Sequence, residues 1–266
     1  MRRLAALPFL LLLGAAPAVA PHRIVSLNLC ADQYLLALAD PGQVAALTRL
    51  SRDPAMSAAA DKARSLPVTR GGAEDVLALR PDLVIAAPGF RRDLMDVLRD
   101  RGVATLDVPP ADSYADIVRQ VRAVAAAIGR RDRGEALVAR MDGALATIPR
   151  RAGRGATAAY YQRRGFLTGA GTLVDELMRR VGLRNLAMRL HKPPLARVGL
   201  EEMALARPDY LIVETATDRV ADQGTEMLHH PVLARIPRLR LPEAWTVCGG
   251  PAYVLAARSL AAQLRR

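Results

Sequence analysis

The chain has 266 residues, 51% of them hydrophobic, and a formal charge of +12. That length suits one large domain or two lobes of about 100 residues each, and the composition excludes a disordered or low-complexity chain. Lys occurs only at Lys62 and Lys192, so the positive charge is almost entirely Arg. With no recognition-helix motif or basic tail, it reads as Arg-rich codon usage or as affinity for an anionic ligand, not as nucleic-acid binding.

Arg2 and Arg3 precede an apolar run over residues 4–13 and a small-residue stretch over 14–20. This is the layout of a cleaved signal peptide covering residues 1–20. Cleavage is expected near 18–20; Pro21 hinders a cut after Ala20, which favours Ala18 with Ala16 upstream. The apolar run is too short to span a bilayer, and no cysteine follows it to carry a lipid. The exported product is expected to be soluble. Its two cysteines, Cys30 and Cys248, are too few for a disulfide scaffold and too far apart for a metal or redox motif. In an oxidising compartment they either bridge each other or remain free buried thiols.

In chain order, the pattern predicts a strand at 23–27, a helix at 32–38, a strand at 44–47 and a short helix at 74–79. A strand at 83–86, a helix at 92–100, a strand at 104–108 and an amphipathic helix at 114–128 follow. Residues 131–148 read as one helix, with Leu137, Met141, Leu145 and Ile148 on a stripe. Beyond it come a strand at 157–162, a helix at 172–181, a second short helix leading into a strand at 210–213, a helix at 226–234, a strand at 238–241 and a last helix from Pro251. Pro251, after Gly249 and Gly250, fits a first helical position.

The two halves repeat a phrase. RGGAEDVLALRPDLVIAA at 70–87 aligns without gaps to RVGLEEMALARPDYLIVE at 197–214. Identities fall at Arg70/Arg197, Gly72/Gly199, Glu74/Glu201, Arg80/Arg207, Pro81/Pro208, Asp82/Asp209 and Ile85/Ile212. In each copy an acidic helix start leads to an Arg-Pro-Asp stop and then to a short apolar strand. Pro cannot continue the helix, and it biases the residue before it toward extended geometry. Apolar strands alternating with helices predict mostly parallel sheets. The predicted fold is α/β: an N-terminal lobe over 22–128, a linker helix over 129–150 and a similar C-terminal lobe over 151–266, with a cleft between them.

The order of RIVSLNLCADQYLLALAD (23–40), EDVLALRPDLVI (74–85), GFLTGAGTLVDELMRRVGLRN (165–185), EEMALARPDYLIV (201–213) and AWTVCGGPAYVLAARSLAAQL (244–264) resembles the iron-chelate and cobalamin class of periplasmic binding proteins. The resemblance covers essentially the whole mature chain. It implies a monomer in the periplasm that captures an iron chelate (a siderophore or haem-like ligand), or alternatively a corrinoid. Delivery would be to an ABC permease of the inner membrane, with no cofactor and no enzymatic activity. It further implies one docking carboxylate per lobe, which maps onto Glu74 and Glu201, with Glu202 as a neighbouring substitute. As helix-start acids, both also complement the macrodipole without any partner.

Ligands of open α/β sheets bind beyond the carboxyl ends of the strands. The loops expected there hold Phe90, Arg91, Arg92, Arg163, Phe166 and Trp245, with Tyr160 and Tyr161 at the end of their strand, one of them facing the cleft. Trp245, the sole tryptophan, matches a ligand-contacting position of the family. Aromatics make up only 4% of the chain. Stacking faces beside Arg forks suit a bulky, partly anionic ligand. Cys30 and Cys248 fall in cleft-side loops of opposite lobes.

The four histidines form no zinc-site spacing, and His229-His230-Pro231 reads as a helix-start turn. No G-x-S-x-G, H-E-x-x-H or P-loop occurs, and Gly169-Ala-Gly171 lacks the third glycine of a dinucleotide loop. A sensor that binds the ligand for signalling is the competing class.

Overall fold

The computed structural model describes residues 20–265. The expected signal peptide lies almost wholly outside them. No helix of the described residues is long and apolar enough to cross a membrane.

The first lobe contains β1 (Ile24–Ser26), α1 (Leu29–Leu38), β2 (Val44–Thr48), α2 (Ala60–Ala63), β3 (Val68–Thr69), α3 (Ala73–Ala78), β4 (Leu83–Ala86), α4 (Arg92–Asp100) and β5 (Ala104–Asp107). Next come α5 (Tyr114–Ala127) and α6 (Arg131–Ala146), which pack on each other. The second lobe contains β6 (Thr157–Tyr160), β7 (Phe166–Thr168), α7 (Leu173–Arg180), β8 (Arg184–Asn185), α8 (Leu186–Arg189), β9 (Leu195–Arg197), α9 (Leu200–Ala206), β10 (Tyr210–Glu214), α10 (Gln223–Glu226), β11 (Arg238–Leu241) and α11 (Tyr253–Gln263). Two separate parallel sheets result, ordered β3-β2-β1-β4-β5 and β11-β10-β6-β8, and β7 pairs antiparallel with β9.

The repeat has a structural basis. Gly72 and Gly199 cap α3 and α9 in extended conformation. Asp82 accepts from the backbone N–H of His22 (2.7 Å) and Arg23 (2.9 Å), and Asp209 accepts from that of Thr157 (2.7 Å). Each Asp therefore ties the start of its own strand to the start of the lobe's first strand, fixing the parallel pairs β1–β4 and β6–β10. Arg80 and Arg207 differ from expectation. They adopt left-handed φ values of 45° and 44° instead of extended geometry, because the helix end needs that turn to satisfy its last carbonyls.

Other differences are local. Residues 226–234 form no single helix: Asp222 caps the short α10, and two 3₁₀ turns follow, the second restarted by Pro231 with His230 as its cap. Pro231 lacks the N–H that a continuous helix would need. Pro251 sits in the turn before α11, not at its first position. The helix expected at 32–38 begins earlier, because Asn28 accepts from the Cys30 N–H (2.6 Å).

Period-two alternation divides each sheet's faces. Val25, Val84 and Ala86 face a core with α4, while Ala159, Tyr161, Leu211 and Val213 face one with α9. The opposite faces do not form two cores but share one. Ile24, Leu83 and Ile85 of the first sheet and Ala158, Tyr160, Ile212 and Leu239 of the second belong to a single cluster, continuous through α5, α6, α7 and α11.

Polar contacts reinforce this seam. Tyr114 of α5 stacks on Tyr253 of α11 (centroids 5.6 Å apart), and Arg180 of α7 lies over both rings. The Tyr34 hydroxyl sits between the Gly249 carbonyl and the Gln120 side-chain oxygen. Gly249 approaches the loop after β5 so closely that a Cβ would collide with Ala111. Beside it, Cys30 and Cys248 form a disulfide across the lobes, with Cα atoms 5.1 Å apart.

Replacing both cysteines with Ser lowers the free energy of urea unfolding by about 2–5 kcal/mol, because the bridge closes a very long loop; an unchanged midpoint would show that the tether contributes nothing.

Asp32 is fully buried on α1, where it accepts from the Thr48 N–H and hydroxyl. Burial pushes its pKa up to about 7, against the pull of those bonds. A raised folded-state pKa gives stability that is complete below about pH 4 and lost as pH rises through 7. Relative to wild type, Asp32→Asn therefore gains stability between pH 4 and pH 8, by about 4 kcal/mol. A pH-independent difference between the two proteins would refute this.

A candidate ligand-binding cleft

Three parallel strands of each sheet end at a common cavity of about 360 Å³. Asn28 follows β1, Ala87 follows β4, and residues 108–112 follow β5; Gln162 follows β6, Glu214 ends β10, and Glu243 follows β11. The carboxyl edges of the two sheets thus face each other, the arrangement that makes an α/β crevice a binding site. A second groove of about 320 Å³ lies where α1, α6 and the start of α11 meet, with Ala58, Ala59 and Lys62 completing its wall; it is bordered by neither sheet's facing carboxyl edge at β1, β4, β6 or β10.

The wall from the first lobe is mostly apolar: Val108, Pro109, Pro110 and Ala111, with Cys30 of the disulfide. Consecutive prolines fix this loop's backbone and supply no N–H groups. The wall from the second lobe mixes Leu173, Val174 and Val247 with a polar group around Glu214. Glu214 accepts from Gln162 Nε2 (2.9 Å) and, more weakly, from the Tyr160 hydroxyl (3.4 Å). That hydroxyl also meets Thr246 Oγ1 at 3.2 Å. Burial, then the Glu214 charge, pushes the Tyr160 phenol up. The Glu243 carboxyl is also pushed up, first by burial and then by Glu214, while Arg163 pulls it down and Asp53 of the first lobe pushes it further up.

The residues expected to contact ligand are distributed unevenly around this cavity. Tyr160 lines it. Tyr161 points the other way, as strand alternation requires; it is fully buried in the outer core and donates to the Val198 carbonyl (2.7 Å). Trp245 is half-buried in the turn whose neighbours Glu243 and Thr246 line the cavity, and it packs on the shared core. Phe90 packs on the first lobe's outer core. Arg91 is ion-paired with Asp93 (3.2 Å), and Arg92 is exposed at the start of α4. Arg163 is exposed and ion-paired with Asp222. Phe166 lies under the Arg197 guanidinium (5.7 Å). None of Phe90, Arg91, Arg92, Arg163, Phe166 and Trp245 forms the cavity wall itself.

The sequence reading missed Glu214 and the 108–112 loop. Glu214 left a signal: it is a charged residue closing the apolar strand YLIVE, at the repeat position matched by Ala87, and both line the cavity.

Glu74 and Glu201 are exposed in the first turns of α3 and α9 and form no ion pair among the described residues. Glu202, by contrast, is paired with Lys192 at 2.7 Å. Each of these helices runs back against the strand that it feeds, so its first turn lies at the carboxyl edge of its sheet.

The sequence profile described as periplasmic binding protein matches residues 24–240. No protein of curated function matches the chain by sequence. Among solved structures, the apo periplasmic haem-binding protein RhuT from Roseiflexus sp. RS-1 superposes with a TM-score of 0.74 at 24% identity, covering 92% of this chain and 98% of that one. The periplasmic haem-binding protein HutB of Vibrio cholerae gives 0.73 at 19% identity, covering 92% and 99%. An ABC-type Fe3+-hydroxamate transport system protein from Saccharomonospora viridis DSM 43017 gives 0.68 at 19%, covering 91% and 92%. With a profile match over most of its length and the two-lobed fold that these structures share, this chain belongs to the periplasmic binding protein family.

Proposed function

We propose that the chain is the solute-binding component of an ABC importer, which holds an iron chelate in the inter-lobe cleft and presents it to a membrane permease. The observation that carries this reading is the cavity at the facing carboxyl edges of the two sheets, built by both lobes over one continuous core. The haem-binding and Fe3+-hydroxamate proteins with the same fold supply the ligand class. A corrinoid is the second reading, because its peripheral amides would donate to the acceptors Glu214, Glu243 and Asp112 in the cavity wall. The family's location is the periplasm, and residues 1–20 would serve as the leader that takes the chain there. Phe90, Arg91, Arg92, Arg163 and Phe166 would meet a ligand only where it extends past the cavity toward the rim.

Docking would use Glu74 and Glu201. Their exposure, the absence of an ion pair to either among the described residues and their place at the cleft-side edge of each lobe all suit a basic receptor surface. Glu74→Ala combined with Glu201→Ala abolishes chelate-dependent growth while leaving the dissociation constant within about twofold, since rim charges away from the ligand govern partner encounter and not the pocket. Undiminished growth of the double variant would exclude these positions as the dock.

The fluorescence of Trp245 reports on the cavity-lining turn directly. Titration with a panel of ferric hydroxamate, ferric catecholate, haem and cyanocobalamin gives a saturable change with at least one member. A flat response to all four contradicts ligand capture in this cleft.

A further inference from the structure

The walls of the cleft carry the wrong sign for the chain as a whole. Lys and Arg outnumber Asp and Glu by 38 to 26, yet the cavity is lined by Glu214, Glu243 and Asp112 and by no Lys or Arg. The nearest guanidinium that acts on Glu243, that of Arg163, is already bound to Asp222.

Glu214 is the informative member. It is only 6% exposed, so its charge is held largely out of water. One carboxylate oxygen accepts from Gln162 and Tyr160; the other has no hydrogen-bond partner among the described residues. Yet no side-chain polar atom of the described residues is both buried and unpaired, so the second oxygen must open into the cavity that Glu214 lines. Glu243 stands within electrostatic reach of it, with Asp53 adding like charge from the opposite lobe. Two acceptor carboxylates that face one small cavity and repel each other leave a site that a cation or an N–H-rich group completes.

We infer that the cleft selects chelates presenting a positive charge to the second lobe: resting on the iron-chelate reading above, its ligand class is a ferric hydroxamate complex bearing an ammonium group, held by Glu214 and Glu243. Polyanionic catecholate complexes are disfavoured by the same carboxylates. The chain's surplus of surface Arg acts outside the cavity, and local lining sets the choice of ligand.

The test compares three iron complexes on the mature protein by calorimetry. One is a linear ferric trihydroxamate with a free ammonium tail; the second is the same complex N-acetylated and therefore neutral; the third is a trianionic ferric tris-catecholate. The ammonium form binds roughly tenfold more tightly than its acetylated twin, the effect of one charge-assisted hydrogen bond. Glu214→Gln and, separately, Glu243→Gln each bring that ratio toward one. Equal binding of the two hydroxamates, or tighter binding of the catecholate, overturns the inference and leaves chelate capture standing. Failure of all three complexes to bind overturns the inference and leaves haem as the iron chelate of the reading above. Glu243, half-exposed on a 3₁₀ turn, keeps the test decisive if the buried Glu214→Gln variant does not fold.

Discussion

The structure depends on one constraint: the inner faces of two separate sheets are buried in a single hydrophobic cluster. Ile24 and Ile85 from one lobe and Tyr160 and Ile212 from the other reach it through the same helices, α5, α6, α7 and α11. Neither sheet can cover that face alone, so separating the lobes would expose apolar surface on both. The Tyr114–Tyr253 stack, the close approach of Gly249 to Ala111 and the Cys30–Cys248 bridge then fix the two carboxyl edges opposite each other. The cleft is the space left between edges that cannot move far apart, and its shape is prepared before any ligand arrives. Preorganisation of this kind reduces the ordering cost of binding.

The charge of the molecule is layered on that frame. Arg residues dominate the surface, but several are spent in local ion pairs: Arg91 with Asp93, Arg163 with Asp222, Arg122 with Glu135, and Arg130 and Arg133 with Asp40. Exposed pairs such as these contribute little stability. Inside the cavity the few charges present are acidic, and that of Glu214 is held largely out of water, so they weigh more heavily on what binds than the net charge does. Global charge governs encounter and solubility, whereas local lining governs selection.

How much of this was legible in the sequence follows from what each feature depends on. The repeat located Glu74, Glu201, Asp82 and Asp209 correctly in equivalent places, because a helix stop and a strand start are decided by neighbouring residues. Strands β4 and β10 were likewise readable from short apolar runs. Which of Tyr160 and Tyr161 faces the cleft depended on register, which adjacent residues do not reveal. The pairing of Arg163 with Asp222 was not readable, because only the fold brings together residues so far apart in the chain. The 108–112 loop carries no charged or aromatic residue except Asp112, so only the meeting of two sheet edges marks it as a wall. Residues 226–234 kept helical composition, but Pro231 and the Asp222 cap broke them into separate turns.

The most direct test is a crystal structure of the mature protein with a ferric chelate bound, its iron located from the anomalous signal at the iron edge. The account predicts one iron site within the cavity between the facing carboxyl edges of the two sheets, with the lobes superposing on the unliganded form as one body to within about 1 Å. An iron outside that cavity, or lobes rotated apart about α6, would contradict it.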